Sequence, residues 1–177
     1  AIGACALFAN TTGAQNTAVG TDSMLANTCG SFNAAIGYRA MASNTTGSYN
    51  TASGQYTLKA NTTGTRNSAH GGYSLRRNTT GHNNTASGYY ALNDNTTGIK
   101  NTATGRSALQ ENTTASKNTA TGVYALCANT TGFKNEAFGF SALKTNSTGC
   151  CNTASGSYAN ALNTTGCYNV SYGGSAL

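Results

Sequence analysis

The sequence predicts an all-β parallel solenoid, a β-roll wound with one coil per 17 residues, and three observations predict it. The first Asn of an Asn-Thr-Thr-Gly motif recurs at Asn10, Asn27, Asn44, Asn61, Asn78, Asn95, Asn112, Asn129, Asn146 and Asn163, always at the same spacing. A fixed short period without insertions marks coils stacked one on the next. Glycine recurs at two places in the unit, at the fourth position in nine copies of ten (Ala115 is the exception) and at the eleventh in all, from Gly3 and Gly20 to Gly173. Proline is absent, as suits a chain whose coils donate their amides to one another. Residues 1–177 thus read as one array of about ten coils.

Each part of the unit N-T-T-G-x-x-N-T-A-x-G-x-x-A-L-x-x has an expected role. Asn at the first position (Asn44, Asn61) and at the seventh (Asn50, Asn67) is expected to hydrogen-bond its copies above and below. The glycines, Gly54 and Gly71 among them, mark corners that need positive φ or close backbone approach. Between the corners two extended stretches are expected. One is N-T-A-x-G, as in residues 50–54, and the other surrounds Ala91-Leu92, Ala108-Leu109 and Ala125-Leu126. Parallel coils about 4.8 Å apart would make a rod on the order of 48 Å long. Leu7, Leu58, Leu75, Leu92, Leu109, Leu126 and Leu143, with Met24 and Met41, form an apolar spine. Asn160 interrupts it and Leu162 arrives two residues late, which predicts a local distortion.

Leu, Ile, Val and Phe together number only 21 of 177 residues. Such a composition ordinarily means disorder, but a disordered chain has no reason to hold Asn, Gly and Leu in strict register. One Leu per coil, worth about 1.5–3 kcal/mol when buried, is a thin core. Burial by other chains is therefore expected, with three chains associating through the Tyr column and apolar positions such as Ile2, Val19, Ile36, Phe138 and Tyr172.

The formal net charge is +6, from ten cations and four acids spread along the array, which is too dilute to predict nucleic-acid binding. No apolar run is long enough to predict membrane insertion. Both ends fall inside a repeat, so the chain reads as a segment of a longer protein.

The stretches N-T-A-V-G at residues 16–20 and N-A-A-I-G at residues 33–37 resemble the head repeats of YadA-type trimeric autotransporter adhesins. The whole array equally resembles the N-T-T-G-x-x-N-T-A-V-G-x-x-A-L repeats of phage and viral tail fibres and surface fibres. The resemblance implies a left-handed roll, three chains side by side, and a rigid shaft or binding head at a virion or cell surface. The adhesin head repeat has a shorter period than this one.

No residues converge into a predicted catalytic, cofactor or metal site. Asp22, Asp94, Glu111 and Glu136 fall on different coils, His70 and His82 stand alone, and the six cysteines lack paired C-x-x-C spacing. Cys150 and Cys167 share the fifth position on adjacent coils and are a candidate disulfide. Lys100, Lys117 and Lys134 stack at the sixth position, suited to an acidic glycan or phosphate, but such a column more often splays into solvent or pairs across a trimer, for instance with Asp94 or Glu111. Tyr56, Tyr73, Tyr90, Tyr124 and Tyr158 share the thirteenth position, suited to sugars or to packing between chains. Nine first-position asparagines head N-x-S/T sequons, as do Asn83 and Asn169, and a glycan on every coil would not fit the coil spacing.

The sequence therefore predicts a non-enzymatic structural and adhesive segment of an extracellular or virion fibre, a homotrimer or other homo-oligomer meeting a cell-surface glycan or receptor. Two alternatives stay open. One is a self-assembling extracellular filament. The other is an ice-binding solenoid, suggested by the hydroxyl pairs Thr102/Thr104 and Thr119/Thr121.

Overall fold

The computed structural model describes residues 1–177. Ten strands, β1 (Thr17–Val19), β2 (Ala34–Ile36), β3 (Thr51–Ser53), β4 (Ser68–His70), β5 (Thr85–Ser87), β6 (Thr102–Thr104), β7 (Thr119–Thr121), β8 (Glu136–Phe138), β9 (Thr153–Ser155) and β10 (Val170–Tyr172), pair in sequence order in one parallel sheet. Every residue faces its copy one period away, so that Thr51 pairs with Ser68, Ala52 with Ala69 and Ser53 with His70. In β1 to β9 the central Ala points inward and is buried, while its two neighbours face out; Ser171 takes its place in β10.

The stretch around Ala-Leu is not a second strand. It is a run of turns in which alternate residues are left-handed: Tyr56 at φ 56° and Leu58 at φ 50° follow Gly54 at φ 133°. This alternation aims successive amides in opposite directions along the rod. Tyr56 N–H donates to Tyr38 O in the coil below at 2.9 Å, and Leu58 N–H donates to Ser74 O in the coil above at 3.0 Å. Inter-coil bonding therefore continues without extended backbone. The sixth position is left-handed as well, as at Tyr49, Arg66, Lys100 and Lys117.

Left-handed backbone is costly for residues other than Gly, and most costly for β-branched ones. The sequence obeys this rule at all three positions. Although Thr is abundant, no Thr, Val or Ile occupies the sixth, thirteenth or fifteenth position of any unit. Hence Leu58→Ile, which conserves volume, should destabilise by about 2 kcal/mol or more because a β-branch is forced to positive φ. Leu58→Met should cost less than about 1.5 kcal/mol, since Met24 and Met41 already serve in the same column. Urea titration of the two variants checks this, and equal losses would dismiss backbone strain as the reason.

The spine of Leu and Met, from Met24 to Leu143, is fully buried with the two Ala columns in one continuous core, against which the partly buried Leu7 packs. The distortion expected at Asn160 is absent. Asn160 keeps the column's left-handed backbone (φ 47°) and stays buried, its N–H donating to Ala176 O, while Leu162 lies 76% exposed. Backbone register outranks side-chain hydrophobicity here, because shifting Leu162 inward would break the inter-coil bonds.

Asparagines supply what the thin apolar core does not. Asn61 Nδ2 donates to Asn44 Oδ1 at 2.8 Å and to Gly64 O at 3.0 Å, and Asn61 Oδ1 accepts from Asn78 Nδ2 at 2.8 Å. In the other column, Asn50 Nδ2 donates to Gly64 O at 2.9 Å, and Asn50 Oδ1 accepts the backbone N–H of Asn67 at 3.0 Å. Both asparagines thus converge on the carbonyl of a fourth-position glycine. No buried side-chain nitrogen or oxygen lacks a partner.

The two glycine columns are required for different reasons. At the eleventh position φ is positive and a Cβ on Gly54 would lie 2.8 Å from the carbonyl carbon of Gly71. At the fourth position φ is ordinary, and a Cβ on Gly47 would run into Asn44 Oδ1 and Gly64 O. Ala115 breaks the second rule at a local cost. Most coils point three successive N–H groups at one carbonyl above, as Thr62, Thr63 and Gly64 do to Thr79 O, but the coil below Ala115 sends two, from Thr96 and Thr97 to Thr113 O, and the Ala115 coil one, from Thr113 to Thr130 O.

Candidate binding edge and cysteine pair

The repeat projects the thirteenth-position side chains onto one edge of the roll. Tyr56 and Tyr73 stack with ring centroids 5.2 Å apart, and Tyr73 and Tyr90 stack at 5.0 Å with planes 7° apart. The ladder ends there, because Ser107 occupies the next coil. Tyr124 instead meets Phe140 edge to face at 6.4 Å, and Phe140 meets Tyr158 at 5.2 Å, giving a second group. Tyr38 and Tyr89 join the first group edge-on, against Tyr56 and Tyr90 respectively.

Cations crown these rings. Lys59 lies over Tyr56 at 5.3 Å, Arg76 over Tyr73 at 5.6 Å, and both Arg106 (5.8 Å) and Lys144 (5.7 Å) approach Tyr124. Arg39 sits over Tyr38 and also holds Asp22 at 3.0 Å. Sequence reasoning missed the contribution of Lys59, Arg76, Arg106 and Lys144. They occupy the twelfth and sixteenth positions, which an extended strand would have spread apart and which alternating left-handed backbone gathers beside the tyrosines. Hydrogen bonding of their hydroxyls to Tyr56 and Tyr90 holds the phenols of Tyr38 and Tyr89 above the ordinary phenol range.

The lysine column occupies a separate line. Lys100, Lys117 and Lys134 are exposed or nearly so and make no ion pair, and Asp94 is taken by Arg77 of its own chain at 3.3 Å. At the same position Phe32 stacks on Tyr49 at 4.9 Å and Arg66 caps Tyr49 at 5.7 Å. On the sheet face, the hydroxyl pairs Thr102/Thr104 and Thr119/Thr121 point outward on β6 and β7 but give way to His70 on one side and Phe138 on the other.

Cys150 and Cys167 lie sulfur to sulfur at 2.8 Å as free thiols, and Cys150 N–H points at Cys167 Sγ at 3.0 Å. The hydrogen bond to Cys167 is the main cause that pushes the Cys150 thiol up to about 11. Hydroxyls of Thr12 and Thr28 draw the Cys29 thiol down instead. Iodoacetamide at neutral pH should therefore label Cys29 well ahead of Cys150. Oxidised glutathione should join Cys150 to Cys167, with two glutathione molecules leaving as thiols, and faster as pH rises because more Cys150 is then thiolate. Peptide mapping that finds no such link at about pH 9 would show that the thiols are not neighbours.

No helix is long and apolar enough to cross a membrane. No group of three His, Cys, Asp or Glu side chains gathers as metal ligands would, and the surface has no pocket. In comparisons with protein-family models, curated proteins and solved structures, nothing matches this chain.

Proposed function

We propose that this chain is a non-catalytic shaft and display segment of an extracellular or virion surface fibre. In this reading it is a left-handed roll, associated with two further copies, and holds many copies of a weak attachment surface at fixed spacing. The observation that supports it most is the repetition of outward positions in strict register on a roll whose inter-coil bonds run its whole length. Such an architecture provides stiffness and avidity, because identical coils offer repeated weak sites in place of one unique pocket. Association is assigned to the sheet face, where Ile36 and Phe138 are 49% and 41% exposed. Apolar side chains on a flat face are what a second roll would cover.

Sedimentation and negative-stain electron microscopy of the purified chain test the fibre reading. The expected result is a rod of three chains, and a folded monomer at micromolar concentration refutes the association. Attachment to cells should barely respond to Lys117→Ala, whereas replacing Tyr56, Tyr73, Tyr90 and Tyr124 together should abolish most of it. Enzymatic turnover lost on a single substitution would refute the non-catalytic reading.

A further inference from the structure

We infer that the edge built from the tyrosine groups and their capping cations is a binding surface for a linear acidic polysaccharide, one carrying a carboxylate or sulfate on successive sugars. This deepens the fibre reading and rests on it for the setting in which such a polymer is met.

Three observations carry the inference. First, the cations recur along the rod in step with the coils. Lys59 and Arg76 occupy the same position on adjacent coils, with Arg106 and Lys144 further along, so the charges repeat with the coil spacing of about 4.8 Å and its multiples. None of these four is committed to a carboxylate, since the two ion pairs of the chain use Arg39 and Arg77. A polymer with regularly repeated anions is the complement of such a row.

Second, the stacked rings lie face to face along the rod axis, as Tyr73 and Tyr90 do with planes 7° apart. Tyr73 is covered on both faces, by Tyr56 and Tyr90, and those two on one face each. What remains outward is ring edge and phenol hydroxyl, which hydrogen-bonds sugar hydroxyls but gives a nucleobase no open platform to stack on. An acidic polysaccharide is therefore favoured over single-stranded nucleic acid.

Third, the same cations disfavour this edge as the seam between copies. Bringing identical edges together around a symmetry axis would set rows of like charge against each other in a low-dielectric interface, with no acidic row to compensate. The edge is left facing solvent, where a polymer can lie along it.

The test measures binding of the whole chain to polygalacturonate, with dextran as the neutral control and oligothymidylate as the nucleic-acid control. Replacing Lys59, Arg76, Arg106 and Lys144 with Gln should weaken polygalacturonate binding about tenfold or more. Removing as many charges on the other line, from Arg66, Lys100, Lys117 and Lys134, should weaken it less than about threefold. Dextran should not bind. Equal losses in the two variants would reduce the effect to overall charge and overturn the inference, as would tighter binding of oligothymidylate or no binding of polygalacturonate. Circular dichroism of each variant confirms that the roll persists. Rods of three chains that fail to bind would refute this edge alone, whereas a binding monomer would refute the fibre and leave the edge standing.

Discussion

Asn61→Ala should cost about 4 kcal/mol, more than any single apolar truncation of this thin core short of the buried leucines. The side chain takes part in three hydrogen bonds, to Asn44 Oδ1, to Gly64 O and from Asn78 Nδ2. Each contributes about 1 kcal/mol net. The remainder comes from the partners left behind. Gly64 O keeps its bond from Asn50 and Asn78 Nδ2 keeps Gly81 O, but Asn44 Oδ1 is left fully buried with no donor. A buried acceptor without a donor costs about 1–3 kcal/mol more. Thr63→Val two residues away is the matched control, since the Thr63 side chain is exposed and its hydroxyl makes no hydrogen bond, and it should cost less than about 0.5 kcal/mol. Urea denaturation of both variants decides the matter. A loss of less than about 1 kcal/mol for Asn61→Ala would mean that the asparagine column is ornament and that burial alone holds the coils.

The second large effect concerns where the chain folds. Routed into the endoplasmic reticulum of a eukaryotic cell by an added signal peptide, it should become glycosylated at first-position asparagines and fail to form the roll. N-linked transfer replaces an amide hydrogen of Nδ2 with a bond to sugar. In the folded chain both hydrogens of that nitrogen are already committed, as for Asn44, whose Nδ2 donates to Asn27 Oδ1 at 2.8 Å and to Gly47 O at 3.0 Å. Asn44, Asn61, Asn78, Asn95, Asn112, Asn129 and Asn146 are all fully buried, so the sugar has no room either. Two sequon asparagines, Asn83 and Asn169, are exposed. Asn169 Nδ2 still donates to Asn152 Oδ1 at 3.0 Å, whereas the amide of Asn83 touches only the ring of His82 at 2.8 Å. Third-position Thr→Val substitutions remove the first-position sequons without touching either ladder, because those hydroxyls, Thr12 beside Cys29 apart, make no hydrogen bond, and they should restore folding in the same compartment. Protease resistance and band shift on glycosidase treatment report the outcome. Resistant, fully folded roll carrying sugar on Asn44 or Asn61 would be incompatible with the ladder geometry. A chain held by this ladder is thus expected to fold away from N-glycosylating enzymes.

The period, the Leu and Met spine and the partnership of Asn44 with Asn61 could all be read from the sequence. Each depends only on a residue meeting its own copy one coil away, and strict repetition guarantees that meeting. The Ala-Leu stretch was misread as a strand for an identifiable reason. Positive φ is usually signalled by Gly, Asn or Asp, whereas here it falls on Leu58, Tyr56 and Lys100, and the only sign is negative: Thr, Val and Ile are missing from those columns. The distortion expected at Asn160 failed for a related reason, since side-chain burial was weighed and the inter-coil amide bonds were not.

By itself, then, the sequence determined which residues share a column and that the columns run parallel to one axis, because a 17-residue period with no insertion allows no other stacking. Only the tertiary structure decided which columns stand side by side. Lys59 and Tyr56 are neighbours because left-handed backbone at every other residue folds three intervening peptide bonds into a tight arc, and the same arc brings Arg106 to Tyr124 of the next coil. Backbone handedness is set by hydrogen bonds to the coils above and below, a property of the stack that no single unit carries. The cationic aromatic edge exists only once the coils have closed on one another.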